Sequence, residues 1–235
     1  GLFSLTPDQN QQYVAEFMWN GKTINQSLPA VLTSGTVLSV INHPEGFFFE
    51  IQTTEKFTSQ QVATLIGTIQ GVEVFRSTLS LNQEQVQGVL KTKNLRSGIL
   101  EIRLQNANGE IITQRNVFVN NEEYKVVAQV LTDTLDTAPR SKNSWRLQLQ
   151  DTIQGNVSIS ITDADRDFFV QRPASIVSQL LLTSELSGQL TNPDWYFNTT
   201  KDSAEIGFDL LMLTRTKRAN SSNFLQQNGG FINIK

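Results

Sequence analysis

Residues 98–119, GILEIRLQNANGEIITQRNVFV, carry the clearest structural pattern in this chain. Leu100, Ile102 and Leu104 alternate with other residues, which is the period of a strand with one buried face. Asn108-Gly109 then supplies a turn, and a return strand ends in the letters VFV. The stretch predicts a β-hairpin, and similar patterns recur along most of the chain.

A second hairpin is predicted in QYVAEFMWNGKTINQSL, residues 12–28. Tyr13, Phe17 and Trp19 fall on one face of the first strand, because side chains of a strand alternate between its two faces. Asn20-Gly21 suits the two positive-φ positions of a type I′ turn, which joins the strands of a tight hairpin.

Further strands are predicted at regular spacing, with turn residues between them. Before residue 120 they cover 38–41, 47–51 and 72–75; the stretch 59–67 reads either as part of this pattern or as a short helix. After a polar boundary at 120–123 they cover 124–130, 145–149 and 157–161, with a polar loop at 133–143. Short strands at this spacing predict a mainly β chain of tandem antiparallel, Ig-like β-sandwiches.

The composition limits the classes of function. The chain has 235 residues, a net charge of −3 and no cysteine. The net negative charge gives no electrostatic basis for binding nucleic acid, and the lack of cysteine excludes disulfides and thiolate metal sites. No run of about 18 apolar residues could form a membrane-spanning helix.

The periodicity changes to that of helices after Pro173. Leu182, Leu186 and Leu190 share one arc of a predicted helix, and Gly188 with the following Asn-Pro pair gives its stop signals. A second helix is predicted from about Asp202, which has capping-box spacing to Glu205. Residues 173–218 therefore predict a helical hairpin that is apolar on nearly all sides and needs cover.

The apolar block at 178–197 has two interpretations. Trp195, Tyr196 and Phe197 could seal the helical hairpin as core residues, or could dock a partner, since Tyr and Trp are frequent interface anchors. The candidate docking residues are Leu182, Leu186, Gln189, Trp195, Tyr196 and Phe197.

The chain resembles a known family at several places. LLLTSELSGQLTNPDWYF followed by FDLLMLT is similar to the helical segment of large Bacteroidota-type cell-envelope proteins, which carry tandem macroglobulin-like (MG2-type) β-sandwiches and are related to proteins with a TonB-dependent-receptor plug domain. GILEIRLQNANGEIITQRNVFV and GNVSISITDAD resemble strands that close such modules. The resemblance covers nearly the whole chain.

The resemblance implies an envelope protein that associates with outer-membrane transport machinery. Two departures from the family matter. After LMLT the chain reads TRTKR instead of a Gly-Trp-Arg-Arg-type run, and residues 1–40 are expected to cover only the last strands of a domain. In addition, no cysteine is present for the thioester of protease-trapping macroglobulins. Covalent trapping is therefore not expected.

Few residues suggest metal or catalytic chemistry. Asp163, Asp165 and Asp167 have the spacing that begins a Ca²⁺ loop, but the glycine and the final glutamate of such a loop are missing, so a solvated turn is expected. His43, the only histidine, lies in a Pro/Gly turn and is expected at the surface. Asn198-Thr199-Thr200 fits a glycosylation sequon.

Other polar and aromatic groups have both a functional and a structural interpretation. Glu122-Glu123 could serve a glycosidase, but neighbouring residues of a strand point to opposite faces, so a solvated linker is expected. The run FFF at 47–49 favours core packing over a ligand face, because Phe is among the most often buried residues. Trp19 and Trp145 are candidate ligand aromatics.

These observations combine into one expectation and two rivals. We expect a non-catalytic scaffold of the cell envelope, periplasmic or attached to the outer membrane, with a protein partner such as a TonB-dependent transporter and without a cofactor. The rivals are a carbohydrate- or peptide-binding module and a hydrolase with scattered acids. The expected parts are a partial macroglobulin-like domain at 1–40, a sandwich at 41–120, an MG2-type sandwich at 121–172, the helical hairpin at 173–218 and a tail at 219–235.

Overall fold

The computed structural model describes residues 5–54, 62–81, 83–149, 157–159, 161 and 174–218. The chain is mainly β, with several antiparallel sheets, as the sequence predicts. The strands are β1 (Val14–Trp19), β2 (Lys22–Ser27), β3 (Thr36–His43), β4 (Gly46–Thr53), β5 (Val62–Ile69), β6 (Val72–Ser80), β7 (Gln85–Lys91), β8 (Gly98–Gln105), β9 (Ile111–Val119), β10 (Ala128–Thr134) and β11 (Ser144–Leu149).

Strands β3 to β9 form two antiparallel sheets that share one core. One sheet has the order β3-β4-β7 and the other the order β6-β5-β8-β9. Leu100, Ile102 and Leu104 are fully buried between the sheets, together with Val40 and Phe49 from the facing sheet. The alternation in the 98–119 hairpin is therefore confirmed, and we call these strands, residues 36–119, the sandwich.

The triple phenylalanine lies in β4. Phe47 and Phe49 point into the shared core and are buried, whereas Phe48 lies on the other side of the sheet and is half-buried. The prediction of core packing is confirmed for the two buried rings, because alternate residues of a strand face the same side.

The structure confirms one of the two predicted hairpin turns and corrects the other. Asn20 and Gly21 have φ values of 49° and 73°, so the type I′ turn between β1 and β2 is confirmed. Between β8 and β9 only Gly109 has positive φ, and its N–H donates to the carbonyl of Asn106 at 3.0 Å. The predicted two-residue turn is wrong there: Asn106 holds a longer loop, because its Oδ1 accepts the N–H groups of Asn108 and Glu110.

Several other predictions change. Residues 62–67 belong to strand β5, not to a helix, and β10 begins at Ala128 instead of residue 124. The strand predicted at 157–161 is wrong for its described residues, which form no strand and leave Val157, Ile159 and Ile161 exposed. Residues 150–156, 160 and 162–173, and with them Asp163, Asp165 and Asp167, lie outside the described residues.

The region 174–218, which we call the helical cap, contains three short or medium helices. They are α1 (Ile176–Ser178), which continues as a π-helical turn over Gln179–Thr183, α2 (Trp195–Asn198) and α3 (Lys201–Thr214). The prediction that one helix reaches Leu190 is wrong. After Thr183 the chain leaves the helix, and Leu186 forms an antiparallel bridge with Lys217.

Helix α3 begins at Lys201, one residue earlier than predicted. Its N-cap is Thr200, whose hydroxyl donates to Ser203 Oγ at 3.0 Å, and Asp202 lies inside the first turn. A carboxylate in that turn still interacts favourably with the positive end of the helix dipole.

The helical cap covers the outer face of the four-stranded sheet. Ile99 and Phe118 point away from the sandwich core, and they pack against Leu182, Phe208 and Leu211 of the cap. The cover that the apolar block requires therefore comes from this chain's own sheet. Within the described residues, no helix is long and apolar enough to cross a membrane.

Candidate functional site

A cleft of about 1160 Å³ opens where the helical cap meets one end of the sandwich. One wall comes from the β3–β4 turn and the end of β7, the floor from the end of β9, and the opposite wall from α2 and α3. The residues that define it include Val40, Asn42, His43, Lys93, Phe118, Asn120, Tyr196, Phe197, Thr199, Glu205 and Phe208. Clefts of this size that combine apolar walls with a few polar groups are typical ligand sites.

An aromatic cluster forms the wall below the cap. The rings of Phe118 and Phe208 stack in parallel with centroids 3.9 Å apart, and Phe197 meets both rings edge-on at 5.8 and 5.5 Å. Tyr196 lies 5.3 Å from Phe208, and Tyr124 lies 6.0 Å from Phe197. Edge-to-face contacts between rings are favourable, so this wall has a defined shape.

Acid–base pairs surround the cleft. Lys91 Nζ lies 3.2 Å from Glu45, Lys125 Nζ lies 2.6 Å from Glu122, and Lys201 Nζ lies 3.8 Å from Glu205. Because each of these lysines has a carboxylate nearby, the rim carries little excess charge of either sign.

A fourth pair joins β9 to α3 beside the cleft. Arg115 of β9 donates to Asp209 Oδ1 at 2.6 Å. Burial lowers the pKa of Arg115, and the attraction of Asp209 opposes that shift. The pair fixes α3 on the sheet, so it helps to set the width of the cleft.

The structure places the predicted docking residues in different environments. Leu182 and Leu186 are 0% and 2% exposed in the chain's own core, so their assignment as docking residues is wrong. Their side chains cover Ile99 and Phe118 and are not at the surface. Gln189 is exposed, and its carbonyl accepts from Arg215 at 3.4 Å.

The three consecutive aromatics are split between surface and cleft. Tyr196 and Phe197 are half-buried and line the cleft, while Trp195 is 43% exposed and meets Tyr196 edge-on at 5.2 Å. Gly207 of α3 makes room for Trp195, because a Cβ there would lie 2.6 Å from the indole ring.

Trp19 and Trp145 lie on two separate hairpins, β1–β2 and β10–β11. They are 64% and 46% exposed, and neither residue lines the cleft. On each hairpin the tryptophan shares a face with other apolar side chains, such as Phe17 on the first and Leu147 on the second. The structure keeps both rings accessible but does not bring them together with the cleft.

The other candidate groups have structural roles. Glu45 donates its backbone N–H to His43 Nδ1 at 3.2 Å, which holds the β3–β4 turn. Glu122 pairs with Lys125, whereas Glu123 accepts from the N–H and the hydroxyl of Ser97. Burial tends to raise the pKa of Glu123, but those hydrogen bonds and the charge of Arg96 lower it overall.

Sequence reasoning missed a buried ionic cluster beneath the cap. Lys217 Nζ lies 3.1 Å from Glu185 and 3.8 Å from Glu101, and the side chains of all three are nearly buried. Arg103 also bonds Glu101, at 2.9 Å. Burial raises the pKa of Glu185, although Lys217 lowers it, and the charge of Glu101 adds to the rise.

One signal in the sequence could have revealed this cluster. Glu101 lies between Leu100 and Ile102 in a strand of alternating apolar residues, where a charged residue requires a partner if the sheet is covered on both faces. Glu101 and Lys217 also border a smaller cleft of about 470 Å³, whereas Glu185 does not line it. Because Lys217 lies near both carboxylates, the cluster joins the segment after α3 to strand β8.

Among the described residues, no group of three or more His, Cys, Asp or Glu side chains could hold a metal ion. Comparisons with protein-family models, with curated proteins and with solved structures found no match.

Proposed function

We propose that this chain is a non-catalytic interaction protein that binds part of a partner in the cleft between the sandwich and the helical cap. The observation that carries this proposal is the cleft itself: an open space of about 1160 Å³ with an aromatic wall and a rim of paired charges. The lysines and carboxylates of the rim pair with one another, which suits recognition by shape and apolar contact.

The rest of the molecule fits a scaffold. The sandwich is a packed β-module, and the flanking hairpins β1–β2 and β10–β11 are two-stranded sheets with exposed apolar side chains. Two-stranded ribbons are marginally stable alone, and exposed apolar faces mark interaction surfaces. We therefore propose that both hairpins pack against further modules or partners.

The resemblance of LLLTSELSGQLTNPDWYF to Bacteroidota-type envelope proteins supports a location and a partner class. On that basis the proposed setting is the cell envelope, with tandem macroglobulin-like modules as the scaffold. The proposed partner is an outer-membrane protein such as a TonB-dependent transporter.

Site-specific photo-crosslinking tests this proposal. A benzophenone amino acid would replace Thr199, at the rim of the cleft, in the full chain expressed in its native cells. The matched control would carry it at Ser77, an exposed residue of β6 on a different strand edge. We expect the Thr199 probe to capture one dominant outer-membrane protein, and the Ser77 probe not to capture it.

Two results would contradict the proposal in different ways. If the Thr199 probe reacts only within the chain, or captures the same proteins as the Ser77 probe, the cleft is not the partner site. If it captures one specific protein that does not belong to the outer membrane, the cleft remains a partner site and the transporter assignment is wrong.

A glycan-binding module is the second candidate, and the exposure of Trp19 and Trp145 favours it. Exposed indole rings on β-ribbons offer flat surfaces for apolar contact. Tryptophan fluorescence of the full chain, titrated with envelope polysaccharide, tests this candidate. A saturable change that disappears in both Trp19→Ala and Trp145→Ala, but persists in Trp195→Phe, would favour glycan binding; no change at any concentration would exclude it.

A further inference from the structure

We propose that the smaller cleft, of about 470 Å³, binds a small molecule through a phosphate group. Among the described residues, this cleft shares no lining residue with the larger partner cleft, so the two sites are independent. Three features support a phosphate site: a concentration of cationic side chains, too few carboxylates to neutralise them, and a polar floor beside them.

The floor of the smaller cleft is a polar part of the four-stranded sheet. Beyond the area that the helical cap covers, β8 and β9 continue with two polar pairs, Glu101 with Asn116 and Arg103 with Gln114. Because alternate residues of a strand share a face, these pairs lie on the same outer face as the residues under the cap. The end of α3 and the segment 215–218 form the wall above them.

Positive charge is concentrated in this cleft. Five of the six charged residues that line it are cationic, although the whole chain has a net charge of −3. They come from three parts of the chain: Arg103 in β8, Arg115 in β9, and Arg215, Lys217 and Arg218 after α3. A concave site with charges of one sign focuses the electric field, so it attracts ligands of the opposite charge.

The neighbouring carboxylates do not neutralise all of this charge. Three acidic side chains pair with the cations: Glu101 with Arg103 and Lys217, Glu185 with Lys217, and Asp209 with Arg115. In the part of the chain that the structure describes, no carboxylate pairs with Arg215, which donates to the neutral carbonyl of Gln189 at 3.4 Å. The charge of Arg215 is therefore left for a ligand.

Two of the guanidinium groups also retain N–H donors. Each arginine has five N–H groups. Within the described residues, Arg115 donates one hydrogen bond, to Asp209 at 2.6 Å, and Arg215 donates one, to Gln189. The side chain of Arg115 is only 11% exposed, and burial lowers its pKa, although Asp209 opposes that shift. An anion in the cleft would stabilise this poorly hydrated cation.

The positions of the donors favour phosphate over carboxylate. A carboxylate has two oxygens in one plane, which match a single guanidinium fork. A phosphate monoester has three acceptor oxygens and a charge of about −1.5 to −2 at pH 7. It can therefore accept hydrogen bonds from arginines on β8, on β9 and after α3 at the same time.

The remaining lining residues indicate the rest of the ligand. A volume of about 470 Å³ lies in the range of small-molecule sites and exceeds what a phosphate group alone needs. Thr68, Gln114 and Asn116 present hydroxyl and amide groups to the cleft, and Met212 and Leu213 add a small apolar area. These groups suit a small, hydroxyl-rich body, such as that of a sugar phosphate.

Isothermal titration calorimetry of the full chain tests this site. The probes are inorganic phosphate, glycerol 3-phosphate and glucose 6-phosphate, with acetate, glycerol and glucose as controls. We expect at least one phosphate monoester to bind once per chain with a Kd below about 1 mM, and each control to bind at least about 10-fold more weakly, because charge-assisted hydrogen bonds would be lost.

A pair of variants tests the location of the site. Arg215→Gln removes an exposed cation that pairs with no described carboxylate, so the variant should keep the unfolding midpoint of the parent. We expect it to bind the phosphate monoester at least about 10-fold more weakly. The matched control is Arg140→Gln, which changes the net charge equally at an exposed loop residue outside the cleft and should bind like the parent.

NMR of the arginine side chains keeps the test decisive if Arg215→Gln does not fold. In the parent chain, the Nε–H signals of Arg115 and Arg215 should shift on addition of glucose 6-phosphate, whereas the signal of Arg140 should not. Shifts of equal size at all three arginines would overturn the site.

A membrane lipid could supply the same phosphate group. Vesicles of phosphatidylcholine and phosphatidic acid in equal amounts distinguish the two sources. Sedimentation of the chain with these vesicles, lost in Arg215→Gln, would identify a lipid headgroup as the ligand, whereas binding of free esters alone would identify a soluble molecule.

Three results would overturn the proposal. The first is no saturable binding of any phosphate probe up to about 10 mM. The second is acetate or an unphosphorylated control that binds as tightly as the monoesters, since phosphate would then not be the group recognised. The third is equal weakening in Arg215→Gln and Arg140→Gln, which would mean that the effect comes from overall charge and not from this cleft.

Discussion

Replacing Lys217 by Met should strongly destabilise the attachment of the helical cap to the sandwich. Lys217 follows α3, and its ammonium lies 3.1 Å from Glu185 and 3.8 Å from Glu101. The side chain is only 12% exposed, so water cannot replace the lost charge for the two carboxylates. Methionine fills a similar volume, which limits the change to the removal of the ammonium group.

The size of the effect follows from these distances. At an effective dielectric constant of about 20, charges 3.1 and 3.8 Å apart attract each other by about 5 and about 4 kcal/mol. The energy of removing Lys217 from water offsets much of this attraction in the parent chain. Breaking a buried pair by removing one partner nevertheless costs about 3–5 kcal/mol, because Glu185 would then be buried without a cation, whereas Glu101 would keep Arg103. We expect a loss of that size at pH 7.

Urea unfolding, followed by tryptophan fluorescence and far-UV circular dichroism, measures this loss. The control is Lys201→Met, since Lys201 is exposed and its pair with Glu205 should contribute less than about 1 kcal/mol. The loss in Lys217→Met should shrink as the pH falls, because protonation of Glu185 removes one uncompensated charge. A loss below about 0.5 kcal/mol at pH 7, or a loss that grows on acidification, would refute this account of the cluster.

Three further predictions concern single side chains of the cap. The pKa of Glu185 is raised in the folded state. The contribution of this side chain to stability is therefore greatest below its unfolded pKa of about 4.3 and declines as the pH rises through the folded pKa. Relative to the parent, Glu185→Gln should gain stability between pH 4 and pH 8, measured by urea unfolding at each pH. Burial acts to raise the pKa of Asp194, but hydrogen bonds from Ser178 and Ser175 lower it overall. The free energy of unfolding of Asp194→Asn should therefore be about 1–3 kcal/mol lower than that of the parent at pH 7. This difference should shrink as the pH falls through the folded pKa of Asp194, measured by thermal unfolding. Phe208→Ala should cost about 3–5 kcal/mol in the same assay, whereas the exposed control Ile206→Ala should change little.

Local patterns in the sequence predicted most of the sandwich. Leu100, Ile102 and Leu104 follow the two-residue period of a strand, and burial between two sheets enforces that period physically. The Asn20-Gly21 turn was equally predictable, because its two positive φ angles depend on local sterics. The Gln70-Gly71 turn between β5 and β6 has the same conformation, with φ values of 50° and 78°, but glutamine gives a weaker signal.

The helical cap was less predictable because long-range contacts decide its shape. The spacing of Leu182 and Leu186 fits a helix, yet the chain leaves the helix after Thr183 to pair Leu186 with Lys217. A β-bridge between residues so distant in sequence produces no periodic pattern in the sequence. The prediction that this block needs to be covered is confirmed. The surface that covers it is the outer face of β8 and β9, which the sequence did not indicate, because it depends on Ile99 and Phe118 pointing away from the sandwich core.

The cleft was the least predictable feature. Asn42 and Phe208 give no sign in the sequence that they lie across a groove from each other. Only Tyr196 and Phe197 were identified in advance as candidate site residues. Their role in the cleft depends on how α2 and α3 are fixed to β9, partly through the Arg115–Asp209 pair.

The position of the cap also dictates an order of events during synthesis. The strands of the sandwich are complete at Val119, whereas the cap residues that cover Ile99 and Phe118 come later in the chain. Until the ribosome has made Leu182 and Phe208, the nascent sandwich presents a bare apolar face, with Glu101 paired to Arg103 but not yet to Lys217. Such a face attracts chaperones or neighbouring nascent chains. Late arrival of the cap therefore makes this interval of translation the one in which the protein is most exposed to misassembly.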